Sequence, residues 1–507
     1  MISIFLNEHD FEYDVYSLVR AFYPRKKARI FYVKETSSPY EDKTGAALSE
    51  RLPEEEIQEH LISISYGDGK ISVECDGEGG SVSVDRSDRP DTKNRLKLLL
   101  YSILSRQTGR KLPWGTLTGI RPTKLFLSLL EQGKSPEEIT DRMQKTYRIS
   151  REKSDLSLAV AGREKNVLSG FDYKNGWSLY IGIPFCPSIC LYCSFSSYPI
   201  ASYLDRTDDY LSALEKELAF TGKALAGRPL QTIYVGGGTP TSLSAAQLDR
   251  LFSSTERYLD LSHLLEVTVE AGRPDSVTAE KLAVLKKHGV DRISINPQTM
   301  NEKTLRRIGR KHTPEDIVRC FSMAREAGFS RINADLILGL PGEGPDEVAY
   351  TMEEIRKLSP ENLTIHSLAL KRSSRLNLNL DQWAEDTFLN SQELMDRTAA
   401  AAFDLRLFPY YLYRQKDMAG NLENIGYAAE GAECLYNILI MEEKQTIIAL
   451  GAGSDCKYVV SPDSAVFART GRTVLRSENV KDVDLYIARI DEMIGRKRRK
   501  LEEIQWL

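Results

Sequence analysis

Six short apolar runs, each followed by an amphipathic stretch, mark this chain as an α/β protein built on a parallel sheet. The runs are Leu179–Phe185, Thr232–Val235, Leu265–Glu270, Arg292–Asn296, Ile332–Leu338 and Leu363–Leu368. Chemically distinctive residues follow the ends of these runs: cysteines after the first, three glycines after the second, Glu270 closing the third. Helices on one face would curl such a sheet toward a barrel, and helices on both faces would keep it open. Both satisfy the pattern, although functional groups gathered at successive strand ends suit a barrel.

The helices between the strands carry their own start and stop signals. Asp208–Leu225 has apolar residues at Leu211, Leu214 and Leu218. Ser244 and Gln247 form a capping box that opens a helix running to Tyr258. Thr278–His288 stops at Gly289. Thr313-Pro314-Glu-Asp316 places a cap, a proline in the first turn and acidic residues at the positive helix end. Asp346–Leu358 is followed by Pro360.

Three regions are expected. Residues 1–165 read as an α+β module with a helical connector: strands at Ile2–Leu6, Arg29–Val33, His60–Tyr66, Lys70–Cys75 and Gly80–Asp85, and a helix from about Thr92 to Gln107. Residues 166–390 hold the strand–helix repeat. Residues 391–507 form a smaller α+β region, with a helix at Gln392–Phe408, a turn-rich aromatic segment from Pro409 to Tyr427, strand-like runs at Asn437–Met441 and Thr446–Leu450, and a terminal helix.

Composition narrows the setting. The 507 residues carry a net charge of −4, with 41% hydrophobic and 28% charged side chains. That is ordinary for a globular protein and offers no overall basic footprint for nucleic acid. The one basic run, Arg496–Lys500, is followed by Glu502 and Glu503 and reads as a solvated helix face. No apolar stretch approaches the ~20 residues of a membrane span. The N-terminus lacks the basic n-region of a secretion signal. Seven cysteines, unevenly spread, do not suggest a disulfide framework, so a cytoplasmic location is expected.

Cys186, Cys190 and Cys193 stand in a C-x3-C-x2-C spacing directly after the first strand. Structural zinc needs a fourth Cys or His at regular spacing, and Cys75, Cys320, Cys434 and Cys456 are scattered singly. A dithiol reading of Cys190 and Cys193 leaves Cys186 idle. Three thiolates on one loop suit a four-iron cluster with one iron left for another ligand. This triad resembles that of the radical S-adenosylmethionine (SAM) enzymes. Gly236-Gly-Gly238-Thr239-Pro240 matches neither a P-loop nor a dinucleotide fingerprint, but its glycines let backbone carbonyls approach a protonated amino group such as that of SAM.

Tyr180-x-x-Ile-Pro-Phe-Cys, Gly-Gly-Gly-Thr-Pro-Thr, Val-Glu270-Ala, Gln298, Ile308-Gly-Arg310 and Asp335-Leu-Ile-x-Gly-Leu-Pro-Gly together resemble the oxygen-independent coproporphyrinogen III oxidase (dehydrogenase) family. The match covers about Leu179 to Leu370. The resemblance implies a six-unit partial (β/α) barrel. It implies that Cys186, Cys190 and Cys193 bind a [4Fe-4S] cluster and that Tyr180, Gly237, Gly238, Thr239, Glu270, Gln298, Arg310 and Asp335 line a SAM site. Ile337 and Ala369 match positions near a second SAM. Two departures stand out: Phe195 occupies the position of a further cysteine typical of the porphyrinogen-forming members, and the long N-terminal module resembles instead a long-chain coproporphyrinogen dehydrogenase subgroup.

The activity so implied is oxidative decarboxylation of coproporphyrinogen III propionates to vinyl groups, giving protoporphyrinogen IX, with an external electron donor and acceptor. Lys371 and Arg372 are candidates for holding spectator propionates, with a solvated loop as the plainer reading. A haem-binding chaperone and an anaerobic haem-degrading enzyme are the rival expectations on the same scaffold. Tyr410–Tyr427 could line a tetrapyrrole pocket, though core packing is the commoner fate of such residues.

Overall fold

The computed structural model describes residues 1–23, 26–33, 60–119, 121–369, 371, 374–378, 390–415 and 422–507. The chain divides into two compact units, Met1–Ala159 with Arg414–Asn421, and Val160–Tyr413 with Leu422–Leu507.

The first unit carries β1 (Ile2–Leu6), β2 (Ala28–Tyr32), β3 (His60–Gly67), β4 (Lys70–Cys75) and β5 (Glu78–Ser83), of which β1 is buried throughout and β4 alternates. They form one sheet in the order β2-β1-β3-β4-β5, with β1 parallel to both neighbours and the β3-β4-β5 pairs antiparallel. The helices Glu12–Phe22 and Arg89–Thr108 bury Val15, Leu18, Val19, Leu96, Leu100 and Leu104 in a common core with the strands. Asp88 caps the second helix through the Asp91 N–H.

The second unit carries β6 (Trp177–Ile183), β7 (Phe185–Cys186), β8 (Tyr198–Pro199), β9 (Leu230–Gly237), β10 (Glu266–Glu270), β11 (Arg292–Ser294), β12 (Ile332–Leu338), β13 (Asn362–Ser367), β14 (Phe408–Tyr413), β15 (Asn424–Ala428), β16 (Thr446–Leu450), β17 (Asp455–Val459) and β18 (Val474–Glu478). All but the short β7-β8 pair join one sheet in the order β14-β15-β13-β12-β11-β10-β9-β6-β16-β17-β18. The six expected strands are successive parallel neighbours, β6, β9, β10, β11, β12 and β13. This is a mixed α/β fold, and the hydrogen-bonded order begins at β14 and ends at β18 without joining the two edges.

Every expected crossover helix forms, and the Ser244–Gln247 and Thr313–Asp316 caps are both made. The region after residue 391 departs from its reading in three ways. The segment from Pro409 to Tyr427 supplies two antiparallel strands, β14 and β15, rather than a run of turns. Asn437–Met441 lies inside a helix, Leu435–Glu442, not a strand. An apolar run of that length fits a buried helix turn as well as a strand, and tertiary contact decides: the Glu266 carboxylate accepts the N–H groups of Leu435 (3.2 Å) and Tyr436 (3.3 Å), satisfying the positive helix end.

The third departure concerns the basic run. Arg498 and Arg499 are exposed, but Lys497 is 1% exposed and donates to Glu217 at 2.6 Å. Its position on the helix Ile490–Glu503 turns it inward with Met493 and Leu501. Among the described residues no helix is long and apolar enough to cross a membrane.

Candidate functional site

The site begins where β6 hands the chain to the cysteine loop. Gly238 donates its N–H to the Ile183 carbonyl at 2.7 Å, and Thr239 donates to the Phe185 carbonyl at 2.7 Å. These bonds hold the triple-glycine turn after β9 flat against the start of the cysteine loop. A Cβ on Gly238 would lie 2.6 Å from the Phe185 oxygen and 3.0 Å from the Cys186 sulfur, so glycine is required by contact. Gly237 adopts φ +111°, a conformation that side-chain-bearing residues rarely take. Cys186 Sγ and Thr239 Oγ1 lie 3.4 Å apart.

The rest of the loop is clamped from two segments, residues 308–309 and the helix that carries Leu376. The Leu191 N–H reaches the Ile308 carbonyl (2.9 Å), the Leu376 N–H reaches the Leu191 carbonyl (2.9 Å), and Ser188 Oγ donates to the Gly309 carbonyl (3.2 Å). Leu191 and Tyr192 pack on an apolar cluster of Ile308, Ile337, Leu340, Leu368 and Leu376. Burial, eased by the Thr239 hydroxyl but reinforced by the neighbouring sulfurs, pushes the Cys186 thiol up to about 11. Burial also pushes Cys193 up. A metal that took these thiols as ligands would have to displace their protons. Among the described residues no three Cys, His, Asp or Glu side chains converge on a point where one ion could sit. A four-iron cube asks for something else, since each sulfur takes a different corner.

Glu270, the last residue of β10, accepts from the Tyr234 hydroxyl at 2.7 Å. A Cβ on Gly236 would sit 2.9 Å from the Glu270 carboxyl carbon and from the Tyr234 ring. Burial, opposed by the Tyr234 hydrogen bond and helped by the charge on Asp335, pushes Glu270 up to about 7. Between the ordinary glutamate value of 4.5 and about 7, the folded chain holds a proton that the unfolded chain has released. Stability carried by this group is therefore full below pH 4.5 and is lost as pH rises toward 7. Denaturant unfolding at several pH values is expected to show this decline, on the order of 2 kcal/mol, and Glu270→Gln is expected to flatten it.

Asp335 is held below the ordinary aspartate value. Burial pushes it up, but the nearby His366 imidazole and the hydrogen bond from Asn333 outweigh that. Asn333 Nδ2 donates to Asp335 Oδ1 at 2.7 Å, His366 Nε2 lies 3.8 Å from Asp335 Oδ2, and the Tyr413 hydroxyl lies 3.3 Å from His366 Nδ1. Gln298, at φ 69°, bridges to β12 by backbone alone: its N–H reaches the Asp335 carbonyl (2.9 Å) and its carbonyl accepts from Ile337 (3.0 Å).

Arg310 is buried, with Nη1 on the Asn296 carbonyl (2.5 Å) and Nη2 on the Tyr192 hydroxyl (3.2 Å). Its Nε, the Asn296 Oδ1 and both ring nitrogens of His312 are buried without a partner. Burial, with the Arg310 charge beside it, pushes His312 down to about 4, so the ring is neutral. Orphaned polar atoms of this kind fit a ligand that brings its own donors and acceptors. With three sulfurs on one loop and a glycine turn that a Cβ would fill, the residues fit a cluster and SAM.

Tyr180 stacks on Tyr234 at 6.2 Å, and Tyr436 stacks on Tyr234 at 4.6 Å. Tyr436, which the sequence reading did not single out, thus forms part of the wall behind Glu270. Tyr410, Tyr411 and Tyr427 are buried as core, and the Tyr413 hydroxyl lies against His366. Ala369 is partly buried and accepts the Lys371 N–H at 3.0 Å. Arg372 lies outside the described residues. Arg273 was also missed: its guanidinium contacts Ser188 and Cys190, and its place three residues past Glu270 was the only clue.

The Radical SAM superfamily model matches residues 180–355. The oxygen-independent coproporphyrinogen-III oxidase-like protein HemZ of Bacillus subtilis is 40% identical over 416 residues, 81% of each chain. The heme chaperone HemW of Bacillus subtilis is 44% identical over 196 residues, 38% of this chain and 51% of that protein. Among solved structures, the Escherichia coli coproporphyrinogen III oxidase HemN, a radical SAM enzyme, superposes with a TM-score of 0.50 at 21% identity, covering 64% of this chain and 71% of that one. With a relative 40% identical over 81% of each chain, the chain belongs to the radical SAM superfamily, among the oxygen-independent coproporphyrinogen III oxidase-like proteins.

Proposed function

We propose that the chain is a radical SAM dehydrogenase that converts propionate side chains of coproporphyrinogen III to vinyl groups, giving protoporphyrinogen IX. The observation that carries this is the meeting of the cysteine loop, the triple-glycine turn and Glu270 at adjacent strand ends. The tetrapyrrole substrate rests on the 40% identical relative, whose name is that of a coproporphyrinogen-III oxidase-like protein. In this reading the parallel strands form a six-unit partial barrel, as the likeness to the oxidase structure suggests.

Cys186, Cys190 and Cys193 would hold three corners of a [4Fe-4S] cluster. Glu270, the carbonyls of Gly237 and Gly238, and Thr239 would receive the SAM amino group, and Arg310, Gln298 and Asp335 the rest of the molecule. Cluster and SAM together supply abstraction of one hydrogen atom from the β-carbon of a propionate. The carboxylate then leaves as CO2, one electron passes to an acceptor outside the chain, and the two remaining carbons become the vinyl group. A donor outside the chain must reduce the site first. A cationic ligand at Glu270 would favour its carboxylate form, and Tyr234 holds that carboxylate in one orientation. The Tyr180-Tyr234-Tyr436 stack closes the site against water from behind.

The second reading is a haem chaperone, favoured by the 44% identity that the core shares with such a protein. Anaerobically reconstituted protein separates the two. Coproporphyrinogen III consumed with SAM cleavage and release of CO2 is the expected result. Tight haem binding without turnover would favour the chaperone, and methyl transfer with ring opening would favour haem degradation.

A further inference from the structure

Arg273 joins the end of β10 to the cysteine loop, and we propose that it sets the redox poise of the iron–sulfur site by donating to the Cys190 sulfur. The inference rests on the reading of Cys190 as a cluster ligand. The side chain is 3% exposed. One edge of its guanidinium forms a fork on Asp275, with Nε at 3.0 Å from Oδ1 and Nη2 at 2.8 Å from Oδ2. The other edge faces the loop: Nη1 donates to the Ser188 carbonyl and hydroxyl, both at 2.9 Å, and lies 3.7 Å from Cys190 Sγ.

Each contact has a consequence. The bidentate pair with Asp275 locks the plane of the guanidinium, so its remaining donors point one way without a further entropy cost. Ser188 lies midway between Cys186 and Cys190, so the same cation fixes the loop that spaces two of the sulfurs. Hydrogen bonds to the sulfurs and the local charge are among the factors that set the potential of an iron–sulfur centre. A buried cation at a ligand sulfur favours the more electron-rich, reduced state and raises that potential. Arg310 also lies beside Cys190, so the two cations share this role and removal of one has a partial effect. A lysine would keep the charge but could not grip Asp275 and the loop together.

The test uses the full chain, reconstituted anaerobically, with iron content measured and the midpoint followed by electron paramagnetic resonance during a redox titration. Arg273→Met is expected to retain the cluster and to lower its midpoint by about 59 mV, a tenfold loss in the one-electron equilibrium. Arg273→Lys is expected to fall between Arg273→Met and the unsubstituted chain. If Arg273→Met takes up no iron, Arg273→Gln keeps a neutral donor in the same space and is expected to shift in the same direction. A midpoint unmoved in whichever variant holds the cluster overturns the proposal while leaving the radical SAM reading intact. An unsubstituted chain that assembles no cluster overturns both.

Discussion

Alanine at any one of Cys186, Cys190 or Cys193 is expected to yield a folded chain that assembles no stable cluster and cleaves no SAM. Three protein sulfurs are the fewest that leave one iron open while holding the other corners, so the loss of one removes the site rather than weakening it. Folding is expected to tolerate the change. The thiols are small, and the loop is held by the backbone bonds of Leu191 to Ile308 and of Leu376 to Leu191, which do not involve the sulfurs. Thermal unfolding of the metal-free variants should stay within about 1 kcal/mol of the unsubstituted metal-free chain. Iron and sulfide analysis with a deoxyadenosine assay checks the first half. A variant that bound a full cluster and cleaved SAM would remove that cysteine from the ligand set.

Lys497→Met is expected to destabilise the second unit by about 3–5 kcal/mol, the cost of leaving a buried charge without its partner. Glu217 is fully buried, and all four of its contacts converge from distant parts of the chain. Oε1 accepts from Lys497 (2.6 Å) and Asn479 (2.9 Å), and Oε2 accepts from the Tyr486 hydroxyl (2.6 Å) and the Gly451 N–H (2.9 Å). The neighbouring Tyr210 hydroxyl donates to the Gly182 carbonyl at 2.6 Å, one residue before β6 ends and four before Cys186. The network thus props the strand that leads into the cysteine loop. Denaturant unfolding measures the loss. Replacing both members, Glu217→Gln with Lys497→Met, should cost less than the sum of the single changes, because neither then leaves a bare charge. Additive losses would show that the two side chains do not act as a pair.

The parts of this site that could be read from the sequence are local. The cysteine spacing, the three glycines and the caps at Ser244 and Thr313 each depend on residues within a few positions of one another, and all are in place. The strands of the repeat were likewise legible, because each is an apolar run bounded by its own helix signals. Arg273, His312 and Tyr436 were not. Each is an ordinary residue type in an ordinary stretch: Arg273 and Tyr436 acquire meaning from Cys190 and Tyr234, far away in the chain, and His312 from its burial beside the Arg310 charge.

Periodicity also failed where a short apolar run suits either element. Asn437–Met441 is apolar enough to suit a strand, and only the Glu266 carboxylate beneath its first turn makes it a helix. Lys497 looked solvated because its neighbours in sequence are charged, yet its partner is 280 residues away.

Cysteine spacing and turn chemistry were determined by the amino-acid order, since backbone geometry over a few residues leaves little freedom. Which side chains stand behind those cysteines was decided by folding. So was the placing of β14 and β15 at one edge of the parallel strands and β16, β17 and β18 at the other. Sheet register and the burial of charge are settled by partners tens to hundreds of positions apart, and no short stretch of sequence carries that information.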